Sequence, residues 1–237
     1  MSEQQTETSI LRKPGETLRY LRNRYLPKRI ETEKMLEESG IQANTPEFRK
    51  ARKKFTKKIV QESEKATHDP LTGILNRNGF NEMLTHEIAR IKRSVVDSQQ
   101  HGHPVRSDSK AVIFNFDLNE FKQVNERFGH AGGDKHLKKV AEAMTASSRP
   151  SDIIARVGGD EFVMVLPGNT IESAKLYWEN VLSKSFAERG ISASIGVCEL
   201  DPEHPEGSLA LADEFQASAK NASRQNGNTT QIVFSES

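Results

Sequence analysis

Arg156-Val157-Gly158-Gly159-Asp160-Glu161-Phe162 is the stretch on which the fold of this chain turns. Apolar runs flank it, Ile153 to Val157 before and Phe162 to Leu166 after. The glycines and acids therefore read as the tight turn of a β-hairpin with carboxylates at its tip. Upstream, Ala111-Val112-Ile113-Phe114-Asn115-Phe116 reads as a mostly buried strand that delivers Asp117 at its C-terminal end, where ligands of open α/β sheets bind. If the hairpin lies beside that strand, Asp117 and Asp160 converge on one point. Hard oxygen donors so placed suit a divalent cation and phosphate chemistry.

Outward from this pair the texture from Asp69 onward is α/β. Periodicity predicts helices over about 76–94, 132–146, 171–187 and 208–222, and strands over about 111–117, 152–157, 161–166, 191–198 and 230–234. The polar stretch 95–110 has no period and reads as a solvated loop, so His101 and His103 within it are not expected to hold a metal. Residues 1–65 form a separate helical extension with an unpatterned start over 1–12, and short helices are expected over about 16–24 and 30–38. Thr45-Pro46-Glu47 then combines an N-cap hydroxyl, a proline at the first helical position and an acid in the first turn, opening a helix to about Ala66. Its apolar residues Phe48, Ala51, Phe55 and Ile59 form one narrow stripe on a charged rod. That stripe needs a partner, either the following domain or the same helix of a second subunit.

With 237 residues, 35% of them apolar, the chain can hold one ordinary domain plus an appendage. The single cysteine, Cys198, excludes an internal disulfide framework and reads as core. No apolar run approaches the roughly 20 residues that span a bilayer, and Met1 to Gln5 lacks the pattern of a signal peptide. A soluble, cytoplasmic protein without a membrane partner is the expectation. The net charge of +1 hides an asymmetry: residues 1–68 carry 16 Lys and Arg against 10 Asp and Glu, the remainder 18 against 23. The basic charges are interspersed with acids along helical sequence, and no base-stacking or groove-reading motif accompanies them, so nucleic acid is not an expected partner.

The hairpin sequence resembles the signature of the GGDEF family of diguanylate cyclases, and four further blocks follow the family's order over residues 66–237. Asp69-Pro70-Leu71-Thr72-Gly73-Ile74-Leu75-Asn76-Arg77 is similar to its opening motif. Phe116 to Lys122, with Asn125 and Gly129-His130-Ala131-Gly132-Gly133-Asp134, resembles its nucleotide site. Ala193 to Val197 resembles a core strand, and Ala212-Asp213 with Ala219-Lys220 and Arg224 resembles the last helix. The resemblance implies an α+β, palm-like central antiparallel sheet flanked by helices, similar to nucleotidyl cyclases and polymerase palms. It implies condensation of two GTP into cyclic di-GMP and two pyrophosphates in a homodimer, each 3′-hydroxyl attacking the partner's α-phosphate.

By the same resemblance, Asp117, Asp160 and the Leu118 carbonyl hold Mg²⁺, with Mn²⁺ as an alternative, and Glu161, pointing elsewhere on the hairpin, activates the 3′-hydroxyl directly or through metal. Gly158 and Gly159 let the nucleotide approach the hairpin. Lys122, Lys220, Arg224 and backbone N–H groups around Asn119, Glu120 and Phe121 contact the triphosphate, and Asn125 with Asp134 reads guanine. His130 is expected to serve packing. Arg149 and Asp152, five residues ahead of the glycines, resemble an inhibitory site for the product cyclic di-GMP, and the N-terminal helices are a place for a regulatory protein. The chain departs from the family pattern at Asn119 and Glu126, where aspartate is common, and at Ser223 and Gln225, where glycine and asparagine are usual. A catalytically inactive domain that binds cyclic di-GMP or GTP is the alternative, although Asp117, Asp160 and Glu161 are all retained.

Overall fold

The computed structural model describes residues 30, 33–38, 40, 45–101 and 109–236. The chain divides between Ala66 and Thr67 into two units. In the first, helix α1 (Pro46–Thr67) starts as its sequence dictates: the Phe48 N–H donates to Thr45 Oγ1 at 3.1 Å, with Pro46 at the first position and Glu47 in the first turn. Leu36 and Phe48 are buried, and Arg52 Nη1 lies 2.9 Å from Glu33 Oε1. The helix expected over 16–24, the side chains of Phe55 and Ile59, and His103 lie outside the described residues.

The second unit is built on five strands, β1 (Ala111–Leu118), β2 (Ile153–Arg156), β3 (Glu161–Pro167), β4 (Ala193–Glu199) and β5 (Gln231–Phe234), in the order β2-β3-β1-β4-β5. Pairings β2/β3, β3/β1 and β1/β4 are antiparallel, whereas β5 joins β4 in parallel, so the palm-like sheet is mixed at that edge. Its helices are α2 (Arg77–Gln100), α3 (Phe121–Ala146), α4 (Ile171–Tyr177), α5 (Ser183–Glu188) and α6 (Pro205–Gln225), with a π turn over Trp178–Leu182 joining α4 to α5.

Alternation along β1 supplies two cores. Val112, Phe114, Phe116 and Leu118 pack with Leu137, Val140 and Met144 of α3 and with Trp178 and Phe186. Ala111 and Ile113 pack with Phe80, Leu84 and Ile91 of α2 and Ala212 of α6. Burial on both faces explains why β1 reads as a near-continuous apolar run. Phe114 and Phe116 are fully buried and stack at 5.9 Å, and burying each phenyl ring contributes about 1.5–3 kcal/mol. Cys198 is core, as its sequence implied, and burial raises its thiol pKa to about 11.

Three differences from the sequence reading have a cause in the packing or the backbone. Helix α2 runs on to Gln100 because Val95 packs on the second core and Ser98 is buried, a tertiary gain that its polar composition conceals. Helix α3 starts at Phe121 rather than near residue 132, since Gly129, at φ 69° and ψ 174°, bends the helical path without ending it. The π turn interrupts the helix expected over 171–187.

Gly196 of β4 sets the approach of α6: a Cβ there would run into the Ala212 carbonyl and the Gln216 N–H. Gly196→Ala should therefore push the helix off the sheet and cost about 1–3 kcal/mol in urea unfolding. Unchanged stability would mean that α6 is not seated as described.

Candidate active site

Two backbone facts assemble the site. The β1/β3 register sets Asp117 opposite Glu161, and the Leu118 N–H donates to the Asp160 carbonyl at 3.2 Å, holding the hairpin tip against the end of β1. Asp117 and Asp160 are thus brought together as the sequence implied. Glu161 is the cross-strand partner of Asp117, and directly opposed residues share a face of the sheet. Its side chain is half exposed, with Arg77 Nη2 at 3.8 Å from its Oε2.

Helix α6 brings in the counter-charge. Lys220 Nζ lies 2.7 Å from the Asp117 carboxylate, whose side chain is 14% exposed. Both Asp117 oxygens are in contact with that ammonium group: Oδ2 accepts its hydrogen bond at 2.7 Å, and the buried Oδ1, to which no donor is aligned, lies at the same ion-pair distance. One ammonium group shared between two oxygens leaves acceptor capacity on a largely buried carboxylate, which a metal cation can use. Burial first, and the neighbouring Asp117 charge second, push the Asp160 carboxyl above its ordinary value, against lowering from a backbone hydrogen bond and from Lys220 and Arg156. Among the described residues no three acidic, His or Cys side chains form a complete metal cage. One or two carboxylates that leave coordination positions for phosphate and water are the donor set that Mg²⁺ takes. The residues present fit such an ion.

The hairpin is held by contacts that the sequence reading did not assign. Arg156 donates from Nε and Nη2 to the Gly159 carbonyl at 3.0 and 2.7 Å, and from Nη1 to both Asp69 oxygens at 3.2 Å. Asp69 also accepts from the Thr72 N–H at 2.9 Å and its hydroxyl at 2.7 Å. Burial works to raise the Asp69 pKa, but the Thr72 bonds and the Arg156 charge outweigh it and hold the carboxyl below its ordinary value. The opening motif is therefore a latch on the signature hairpin. The conjunction of an arginine before the turn with a distant Asp-x-x-Thr was visible in sequence, but the contact between them was not. Gly159 is not at positive φ, and a Cβ there would meet nothing within 4 Å, so the fold itself makes no demand for glycine. At Gly158 a Cβ would run into the Glu161 carboxylate.

A cleft of about 220 Å³ lies beside the acids, lined by Asn119, Glu120, Gln123, Lys220, Arg224 and Asn228. Glu120, at φ 55°, precedes α3 without a side-chain cap, leaving the first-turn N–H groups of the helix for an anion. The Asn119 N–H is already spent on the Ser192 carbonyl at 3.0 Å. Its side chain bonds Ser192 Oγ at 2.8 Å and accepts from Ser194 Oγ at 2.7 Å, so Asn119 shapes the cleft wall. Arg224 is exposed, and Lys122, with 89% of its side chain exposed, lies 3.8 Å from Glu126. Asn125 and Asp134 sit on either side of the Gly129 bend, and Gly133 is required there because a Cβ would strike the Asn125 amide oxygen. Phe121 stacks on His136 at 6.4 Å. His130, expected to pack, is exposed. At the Arg149-to-Asp152 turn, Asp152 is buried and its Oδ2 accepts from the Arg149 N–H at 2.8 Å, which commits part of that carboxylate to the turn itself.

Residues 66–226 match the family model described as diguanylate cyclase, GGDEF domain. Diguanylate cyclase DgcP of Pseudomonas aeruginosa is 32% identical over 181 residues, 73% of this chain and 25% of the relative. DgcE of Escherichia coli is 34% identical over 178 residues, 71% of this chain and 15% of the relative. The chain therefore spans a quarter or less of the length of these two relatives. Among solved structures, diguanylate cyclase SiaD in complex with its activator SiaC, from Pseudomonas aeruginosa, superposes with a TM-score of 0.55 at 26% identity, covering 93% of this chain and 78% of that one. A microbial GGDEF domain with cyclic di-GMP superposes at 0.54 and 25% identity, covering 73% and 99%.

The raised Asp160 pKa carries a sign. Ionising this group opposes folding, so its penalty is absent below the ordinary value of 3.8 and complete once pH has risen through the folded value. At neutral pH in EDTA, Asp160→Asn should raise the melting temperature by about 1–3 °C, while removing the further rise that Mg²⁺ or Mn²⁺ gives the parent. A fall in EDTA, or an undiminished ion-dependent rise, would contradict the paired-carboxylate site. Asp69 behaves oppositely: its contribution is full above the ordinary value of 3.8 and is lost as pH falls through the depressed folded value. Asp69→Asn should accordingly flatten the acid limb of the parent's stability profile, and an unchanged limb would deny the latch its charge.

Proposed function

The chain belongs to the GGDEF family of diguanylate cyclases, and on that premise we propose that it is an active cyclase condensing two GTP into cyclic di-GMP and two pyrophosphates. The observation that carries this reading is the pairing of Asp117 and Asp160 by the Leu118–Asp160 backbone bond, close enough that the Asp117 charge raises the Asp160 pKa. An inactive receptor has no need to hold two repelling carboxylates together.

In this mechanism Asp117, Asp160 and the Leu118 carbonyl hold the divalent cation, Mg²⁺ or Mn²⁺. When bound, that ion supplies charge that offsets the build-up on the α-phosphate and the departing pyrophosphate. Glu161, opposite Asp117 and half exposed, takes the proton from the 3′-hydroxyl. The first turn of α3, Lys122, Lys220 and Arg224 bind the triphosphate. Asp134 accepts from the guanine ring N–H and exocyclic amine, a donor pair adenine lacks, and Asn125 completes the reading, so GTP is preferred over ATP. Each new bond joins a 3′-oxygen to the partner nucleotide's α-phosphorus as pyrophosphate leaves, so two copies of the chain must face each other.

Three regulatory assignments belong to the same reading. Helix α1 aids dimerisation through its apolar stripe. Arg149 and Asp152 bind the product away from the catalytic cleft and lower turnover. The N-terminal helices take a regulatory protein, a role supported by the likeness to the activator-bound SiaD structure.

With Mg²⁺ and GTP the purified chain should yield cyclic di-GMP by mass spectrometry. Asp117→Asn and Glu161→Gln should each lower kcat at least about 100-fold, the scale of losing a general base or a metal ligand, with circular dichroism unchanged. Parental turnover in either variant would reject the assigned roles. Failure of the parent to turn over GTP in its dimeric form would reject the cyclase reading.

A further inference from the structure

Among the described residues, two that are not glycine have positive φ, Glu120 at 55° and Asn228 at 58°. They are 108 residues apart, yet Asn228 Nδ2 donates to Glu120 Oε1 at 2.6 Å, and both line the same cleft. Left-handed backbone costs an L-residue free energy, and its occurrence at two bonded positions points to a functional constraint.

The surroundings hold both residues in place. The Asn228 N–H donates to the Ser223 carbonyl at 2.8 Å, and its carbonyl accepts from Ser192 Oγ at 2.7 Å and from Asn119 Nδ2 at 3.4 Å. Ser223 is buried and donates its hydroxyl to the Thr229 carbonyl at 2.7 Å. Glu120 Oε1 accepts a second bond, from Gln123 Nε2 at 2.8 Å. Asn119 and Ser223, two of the chain's departures from the family pattern, are thus parts of one stitch that fixes loop 226–229 over the cleft. Its end product is a carboxylate clamped in the cleft that Lys220 and Arg224, the cations assigned to the triphosphate, also line.

A fixed negative charge in an anion cleft weakens binding of bare polyphosphate but acts less on a polyphosphate whose charge a divalent cation has already screened. We propose that Glu120 is a specificity-determining residue that makes this cleft select the cation complex of the nucleotide over the free anion, with Asn228 as its positioning residue. The inference rests on the cyclase reading for the identity of the ligand.

Calorimetric titration of the full chain with guanosine 5′-(α,β-methylene)triphosphate, in EDTA and in Mg²⁺, tests it. Glu120→Gln keeps an acceptor for Asn228 and removes the charge. Its affinity in EDTA should rise about fivefold over the parent's, the scale of one exposed charge pair, with less than a twofold change in Mg²⁺. Asn228→Gly keeps the left-handed backbone accessible and releases the carboxylate, so it should reduce the parent's preference for Mg²⁺ in the same direction. A merely structural defect would weaken binding under both conditions. An equal response of Glu120→Gln in EDTA and Mg²⁺, or none, overturns the inference alone. A parent that does not bind the analogue in Mg²⁺ overturns the cyclase reading and this inference with it.

Discussion

The antiparallel pairing of β1 with β3, closed by the Leu118 N–H on the Asp160 carbonyl, is the constraint on which the site depends. Side chains alone would not keep Asp117 and Asp160 together, because both are partly removed from water and each charge disfavours the other. Backbone hydrogen bonds are indifferent to that repulsion, so the sheet imposes a proximity that the carboxylates resist. The resulting electrostatic tension favours positive charge at the site, some of which Lys220 supplies by pairing with Asp117.

Other features serve to keep this arrangement rigid. The Asp69–Arg156 latch grips the hairpin from the far side of its turn through the Gly159 carbonyl, and Asp69 is itself fixed by Thr72. Gly196 lets α6 lie close enough to the sheet for Lys220 to meet Asp117 and for Asn115 to donate to Asp213. The cleft beside the acids is walled by the end of β1, the start of α3, the end of α6 and loop 226–229. Groups from distant parts of the chain therefore converge without any one of them needing a flexible reach.

Much of this was legible in sequence because the deciding signals are local. The apolar run into Asp117, the Gly-Gly-Asp-Glu turn and the proline-led start of α1 each carry their structure in a few consecutive residues. What escaped the sequence depends on separation or on context. The helix was expected to start near residue 132, but the left-handed φ of Gly129 only bends one that already begins at Phe121. The polar end of α2 looked like loop because the burial that stabilises it comes from tertiary packing. That Glu161 stands directly across from Asp117 was not legible, because register is not written in the turn sequence. The Asn119 backbone N–H was counted among the triphosphate donors, although it donates to the distant Ser192 carbonyl.

The central claim is that the two carboxylates converge to hold a divalent cation. Anomalous diffraction from crystals of the full chain grown with Mn²⁺ tests it most directly. The account predicts a peak at about 2.1 Å from Asp117 Oδ1 and from an Asp160 carboxylate oxygen, the bond length of a small octahedral ion. A well-occupied Mn²⁺ bound elsewhere, with neither carboxylate among its ligands, would contradict it.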